Sequence, residues 1–139
     1  MSDQIIRKLF ETRLESWADE NDVKLLHENE TVTTEDAKAL HAKVTLLPGR
    51  KRSVFLSGND ILFVGVFQVS ISYPKRTGAG DVEAISKALS ELYPVNLILT
   101  DTSGLSVQVT TPLQTPAAIE NATAYVQPTS FEYRSHVTT

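Results

Sequence analysis

The chain contains no cysteine, and that absence excludes disulfide bridges, thiol nucleophiles and cysteine-held metal together. Stability must therefore come from packing. No apolar run approaches the roughly 20 residues of a membrane-spanning helix, and Met1 to Phe10 lacks the apolar core of a secretory signal. Nor is there an excess of positive charge. Thirteen Lys and Arg stand against seventeen Asp and Glu, a net charge of -4, which argues against a general nucleic-acid binder. Glycine and proline, six of each, are too few for a fibrous or low-complexity chain, and 41% hydrophobic with 22% charged residues is ordinary for a globular protein. At 139 residues one domain is expected over 1–139, with a core that two helices and one sheet nearly exhaust.

What is present is most legible from Ile61 to Leu92. Ile61, Phe63, Phe67, Val69, Ile71 and Tyr73 alternate with positions that turn from apolar (Leu62, Val64, Val66) to polar (Gln68, Ser70, Ser72). This predicts a long strand with one face in the core throughout and the other wet halfway along. A basic turn, Pro74 to Gly80, leads into a predicted helix whose Val82, Ile85, Leu89 and Leu92 form one stripe suited to the strand's odd face. A first helix is predicted from about Asp3 to Asp19, with Ile6, Leu9, Phe10, Leu14 and Trp17 on its buried side.

Elsewhere the signals are shorter. Val23 to Leu26 is a brief apolar patch before a polar stretch, His27 to Asp36, that reads as an exposed loop. Leu40 to Leu46 alternates as a half-buried strand ending at Pro48-Gly49, and Gly49 to Asp60 reads as a long hairpin with a basic tip. Val95–Thr100 and Leu105–Thr110 flank Asp101-Thr102-Ser103-Gly104 as a second hairpin. Thr123 to Arg134 is the last strand, which Pro128 demotes to an edge or bulged one. Ser135 to Thr139 reads as a polar, flexible tail. The fold class is α+β: a single, mainly antiparallel twisted β-sheet with two principal α-helices packed on one face.

Catalytic signatures are missing. Gly78-Ala79-Gly80 at a strand-to-helix junction suggests a phosphate or dinucleotide site, but Glu83 replaces the third glycine of one fingerprint and Asp81-Val82 the Lys-Ser/Thr of the other. His27, His41 and His136 have no metal-ligand spacing. Glu28, Glu30, Glu35 and Asp36 cluster in a polar loop that would not raise their pKa values. Asn121-Ala122-Thr123 matches a glycosylation acceptor, with no secretory route to use it. No catalytic, cofactor-binding or metal residue is assigned, and no cofactor is expected. Two basic clusters remain, Arg50-Lys51-Arg52 and Lys75-Arg76, read as candidate docking residues for an acidic protein surface against the alternative of simple solubility.

Leu46-Leu47-Pro48-Gly49, Gly65-Val66-Phe67-Gln68-Val69 running through Tyr73-Pro74 into Gly78-Ala79-Gly80, Tyr125-Val126-Gln127-Pro128 and Phe131-Glu132-Tyr133-Arg134 together resemble the tail terminator-like proteins of long-tailed bacteriophages. The likeness covers most of the chain and rests on turns and strand patterns. It implies a non-enzymatic assembly protein that forms a ring of six subunits on the head-proximal end of the tail tube, stops tube growth and presents a surface for head attachment. The implied partners are further copies of the chain, the tail tube protein and the head-tail connector protein. DNA would pass through the ring lumen without sequence-specific contact, no membrane is involved, and the expected location is the virion tail after assembly in the host cytoplasm. A head-tail joining protein, a tail tube subunit and a small phosphate-ligand enzyme are the alternatives, because function in such small domains lives in the surfaces.

Overall fold

A computed structural model describes residues 2–21, 23–26, 41–53, 60–74, 79–102, 104–116, 119–120 and 124–138. Helix α1 spans Ser2–Glu20 and α2 Ala79–Leu92. The strands are β1 (Lys24–Leu26), β2 (His41–Ser53), β3 (Asp60–Pro74), β4 (Ile98–Thr100), β5 (Ser106–Val109), β6 (Ile119–Glu120) and β7 (Ala124–Thr138). They form one sheet of order β1-β2-β3-β7-β5-β4, with β6 beside β7. Every pairing is antiparallel except β1 with β2. The protein is thus α+β with a mixed sheet. The parallel strand β1 is the patch Val23 to Leu26, three strand residues that are too few to display an alternation.

The centre of the sheet is the β3–β7 pair, whose register runs unbroken from Asp60 opposite Thr138 to Pro74 opposite Ala124. Alternation then decides which side chains meet. Phe67 opposes Phe131, Val69 opposes Thr129 and Gly65 opposes Tyr133, and all of these except Gly65 are buried. On β2, Ala42, Val44 and Leu46 continue the same buried face, opposite Ile71, Val69 and Phe67. On β5, Val107 and Val109 do so against Ser135 and Tyr133.

The helix contribution follows from spacing. Ile6, Phe10, Leu14 and Ala18, at four-residue steps, are the buried stripe of α1, with Leu9 and Trp17 half-buried beside it. The Phe10 ring lies 5.0 Å from Phe67, 5.1 Å from Phe131 and 5.7 Å from Tyr133, centre to centre. Tyr93, just past α2, joins this cluster 4.8 Å from Phe131 and 5.9 Å from Phe10. Such tilted and edge-on rings contribute about 0.5–1.5 kcal/mol per pair beyond their burial. Leu89 of α2 is buried in the same core, with Ile85 and Leu92 half-buried against it.

Three expectations are corrected. Strand β7 is central, not an edge, and Pro128 opposes Ser70 without a register shift. Ser130 exchanges backbone bonds with Gln114 at 3.1 and 2.7 Å, on the side away from β3. Backbone polar groups alternate sides along a strand, so Pro128, two residues earlier, also turns its nitrogen away from β3 and interrupts no bond there. Second, β2 does not end at Pro48-Gly49 but continues to Ser53 through a one-residue bulge: Pro48 opposes Gly65, yet Lys51 opposes Phe63. Third, the expected tail from Ser135 is strand as far as Thr138, and the buried Ser135 hydroxyl donates to the Ser106 carbonyl at 2.5 Å.

The second hairpin forms as its turn chemistry predicts. The Gly104 N–H donates to the Asp101 carbonyl at 2.9 Å and the Asp101 N–H to the Leu105 carbonyl at 2.8 Å. Gly104 has φ +94°, a conformation that glycine adopts without steric cost. Strand β4 itself is shorter than Val95–Thr100 because Asn96 has φ 72°, which breaks the extended backbone two residues before Ile98.

Candidate assembly surfaces

The first basic cluster, Arg50-Lys51-Arg52, lies within β2 instead of at a hairpin tip. Strand β1 pairs only with His41 to Lys43, so among the described residues β2 is an edge from Val44 onward. The cluster therefore lies on this described edge, with Arg50 inside the bulge and Lys51 and Arg52 after it. Its side chains lie outside the description, as do Lys75, Arg76 and Gly78 entirely. His27, Glu28, Glu30, Glu35, Asp36 and Asn121 also lie outside the described residues.

Opposite the aromatic core, the back face of β3 is half-buried along its length from Leu62 to Ser72. Its apolar half forms a shallow groove of about 520 Å³ in which Leu47, Leu62, Val64 and Val66 meet Glu132 and Arg134. Gly65 floors it. A Cβ there would come within 2.5 Å of the Tyr133 hydroxyl and 2.7 Å of the Leu47 carbonyl, so only glycine fits between these neighbours. Across the ladder, Val64 opposes Arg134, Arg134 opposes Gln108 and Gln108 opposes Ile98. Directly opposed residues share a face. Ile98 therefore lies on the same back face as the groove, two strands beyond Arg134, and the Arg134 guanidinium donates to the Gln108 side chain at 3.0 Å.

The described large hydrophobic residues most open to solvent mark both ends of the sheet: Leu47 on β2 is 47% exposed, Ile98 on β4 is 59% and Val95 just before it is 42%. Sequence reading did not single out Ile98. It sits inside the unbroken apolar run Leu97-Ile98-Leu99, where alternation carries no face information.

A second groove, also about 520 Å³, follows α1 and includes Lys8, Thr12, Trp17, Glu20, Leu92 and Asp101. Beside it, Arg13 Nε donates to the Leu92 carbonyl at 2.7 Å, tying α1 to the end of α2. Trp17 is half-buried and packs against the core, as expected of a core anchor. Below the groove, the Tyr93 hydroxyl donates to the Phe10 carbonyl at 2.7 Å. Burial raises the Tyr93 pKa far above the ordinary tyrosine value, with Arg13 opposing the shift weakly; the phenol stays neutral and acts as a strut.

No three His, Cys, Asp or Glu side chains among the described residues are grouped as metal ligands. His41 is buried at the start of β2. Both neighbours of β3 are antiparallel to it, so the β3–α2 junction is not the parallel βαβ context that a dinucleotide turn requires. No described helix is long and apolar enough to cross a membrane.

Comparison with known proteins adds to this geometry. A solved structure superposes on the chain with a TM-score of 0.82 at 28% sequence identity, covering 100% of this chain and 99% of the other. Curated protein sequences yield no match. The family profile described as "Phage tail terminator protein" matches residues 5–133, from the first buried turn of α1 to the Tyr133 that closes the aromatic cluster. The chain therefore belongs to the phage tail terminator proteins, a structural family of the virion tail.

Proposed function

We propose that the protein closes as a ring of six subunits on the head-proximal end of the tail tube, stops tube polymerisation and provides the surface to which the head attaches. The observation that carries this reading is the family match over nearly the whole chain. In this reading α1 and α2 both cover the aromatic face, leaving the back face and the sheet ends for partners. Neighbouring subunits, the tail tube protein and the connector protein are those partners, and DNA passes through the lumen without sequence-specific contact. The cationic residues Arg50, Lys51, Arg52, Lys75 and Arg76 steer docking, since positive charge concentrated in an acidic chain attracts complementary surfaces. Subunits meet weakly in solution and close on the tube, because a template multiplies contacts that are individually weak.

Complementation tests the reading. A phage lacking this gene should assemble tails of uncontrolled length or tails that fail to join heads, and the intact chain should restore both. Charge reversal of the five basic residues should reduce restoration while leaving thermal unfolding unchanged. Normal tails without the gene product would refute the terminator role.

A further inference from the structure

We propose that the free chain pairs with a second copy of itself, back face on back face about a twofold axis, with Gly65 at the centre and Glu132 of each copy against Arg134 of the other. This goes beyond the ring reading, because it concerns the protein before it meets a tail tube. On the apolar half of the back face Leu62, Val64 and Val66 are only half-buried, and Leu47 beside them is exposed. The groove therefore keeps apolar area in water that a covering surface would remove.

The charges at its rim identify that surface. Glu132 and Arg134 are both exposed, both line the groove and stand two residues apart on one face of β7, about 7 Å along the strand. They oppose Val66 and Val64, one on either side of the Gly65 level. A half-turn about an axis that crosses the strands at Gly65, in the plane between two stacked sheets, exchanges these levels. Glu132 then meets Arg134 of the second copy, Arg134 meets its Glu132, and Val64 lies on its Val66. An apolar centre with one charge of each sign placed symmetrically about it is complementary to itself, as an isologous contact requires.

Strand register decides between this half-turn and the one about an axis along β3. In the latter every level faces itself, and Arg134, at the level of Val64, comes to the bulge of β2 that holds Arg50; like charges are brought together. The axis across the strands instead carries Arg52, opposite Leu62, to the level of Thr45 and Gln68, and Lys43, opposite Ser70, to the level of Asp60. No cation of β2 then faces another. Addition of strands side by side does not compete along the described edge of β2, where Pro48 lacks an N–H and the bulge interrupts the row of donors. A pair closed by its own twofold axis cannot grow, so it covers the groove without forming fibres, and a partner that takes the back face must first separate it.

Sedimentation of the full-length chain without tail components tests the pair. It should show a monomer–dimer equilibrium between micromolar and millimolar concentration and nothing larger. Glu132→Lys and Arg134→Glu, each alone, should weaken the dimer by about tenfold, the factor corresponding to about 1.4 kcal/mol, because the axis makes each lost contact occur twice. Exchanging both, Glu132→Arg with Arg134→Glu, re-forms the reciprocal pairs and should return the dissociation constant to within about threefold of wild type. Thermal unfolding is checked for each variant, and Glu132→Gln and Arg134→Gln, which keep the size and lose the charge, should weaken the dimer in the same direction where a reversal disturbs folding. A monomer at millimolar concentration, species beyond the dimer, single changes without effect, or a double exchange as weak as the single reversals would overturn the proposal. The measurement uses no tail tube, so its failure removes this pair alone, whereas failure of the tail-length assay removes the terminator role alone.

Discussion

Two prolines divide the sheet into regions of different character. Pro128 sits in the central strand β7 and leaves its fifteen-residue register with β3 intact, while Pro48 sits on the free half of β2 and is followed by a bulge. The residue type is the same, but what each nitrogen faces differs. At Pro128 the missing donor points away from β3, so the central ladder loses nothing; at Pro48 the interrupted edge faces solvent, where a complete row of donors would invite strand addition. The central ladder thus keeps its bonds, while the described edge of β2 is interrupted.

The sharpest way to break this contrast is to truncate a side chain in each region. Phe67 is fully buried, with ring contacts to Phe10, Tyr93 and Phe131. Phe67→Ala should cost about 3–5 kcal/mol in chemical denaturation, and Leu89→Ala about 2–5 kcal/mol. Leu47→Ala on the half-exposed edge should cost less than about 1 kcal/mol, because little area returns to water. Equal losses at Phe67 and Leu47 would mean that centre and edge are not energetically distinct.

Moving the central proline by one residue gives the next largest effect. Thr129 is fully buried, its hydroxyl donates to the Val69 carbonyl at 2.7 Å, and by alternation its N–H faces β3. Thr129→Pro should therefore remove both bonds and cost about 3 kcal/mol, since each buried polar group left unpaired costs about 1–3 kcal/mol. Pro128→Val should change stability by less than about 1 kcal/mol, there being no β3 bond to restore. A large effect of Pro128→Val with a small one of Thr129→Pro would reverse the assigned direction of the strand's donors.

These outcomes also show what was legible in the sequence. Odd-position burial on β3, the stripe of α1 and the Asp101–Gly104 turn follow from period and turn chemistry, which act within a few residues. The central position of β7 does not, because Pro128 signals only that one donor is missing and the partner lying on that side is a tertiary fact. Tyr93 was invisible for a similar reason: it follows the helical stripe by one residue and enters the core only because Phe10, Phe67 and Phe131 converge from three elements. The basic cluster Arg50-Lys51-Arg52 is legible as charge but not as strand, since a bulge lets a strand pass Pro48-Gly49 where local signals end it.

Gly65 tests the boundary between the two regions, lying in the central strand yet flooring the back groove. Gly65→Ala should cost about 1–3 kcal/mol, the usual penalty of overpacking, because the new methyl meets both the Tyr133 hydroxyl and the Leu47 carbonyl. Combining it with Tyr133→Phe should recover little of the loss, because the ring carbon Cζ of residue 133 and the Leu47 carbonyl, each 2.7 Å from the new methyl, both remain. Full tolerance in thermal denaturation would show that β2 and Tyr133 move apart easily, and the floor of the groove would then not be rigid.

The smallest expected effect concerns the strut between helix and core. Tyr93→Phe keeps the ring but removes the bond to the Phe10 carbonyl, and should cost about 1 kcal/mol near neutral pH. Its pH dependence is more informative than its size. Burial raises the folded-state pKa of Tyr93, so above about pH 10 the unfolded chain releases a proton that the folded chain retains. The resulting stability is fully present below that pH and is lost as pH rises beyond it. Wild-type protein should therefore lose stability more steeply than Tyr93→Phe on the alkaline side, the two curves converging as the phenol's contribution disappears. Parallel curves from neutral to alkaline pH would mean that Tyr93 ionises freely in the folded protein, which a phenol sealed beneath α1 in the aromatic centre cannot do.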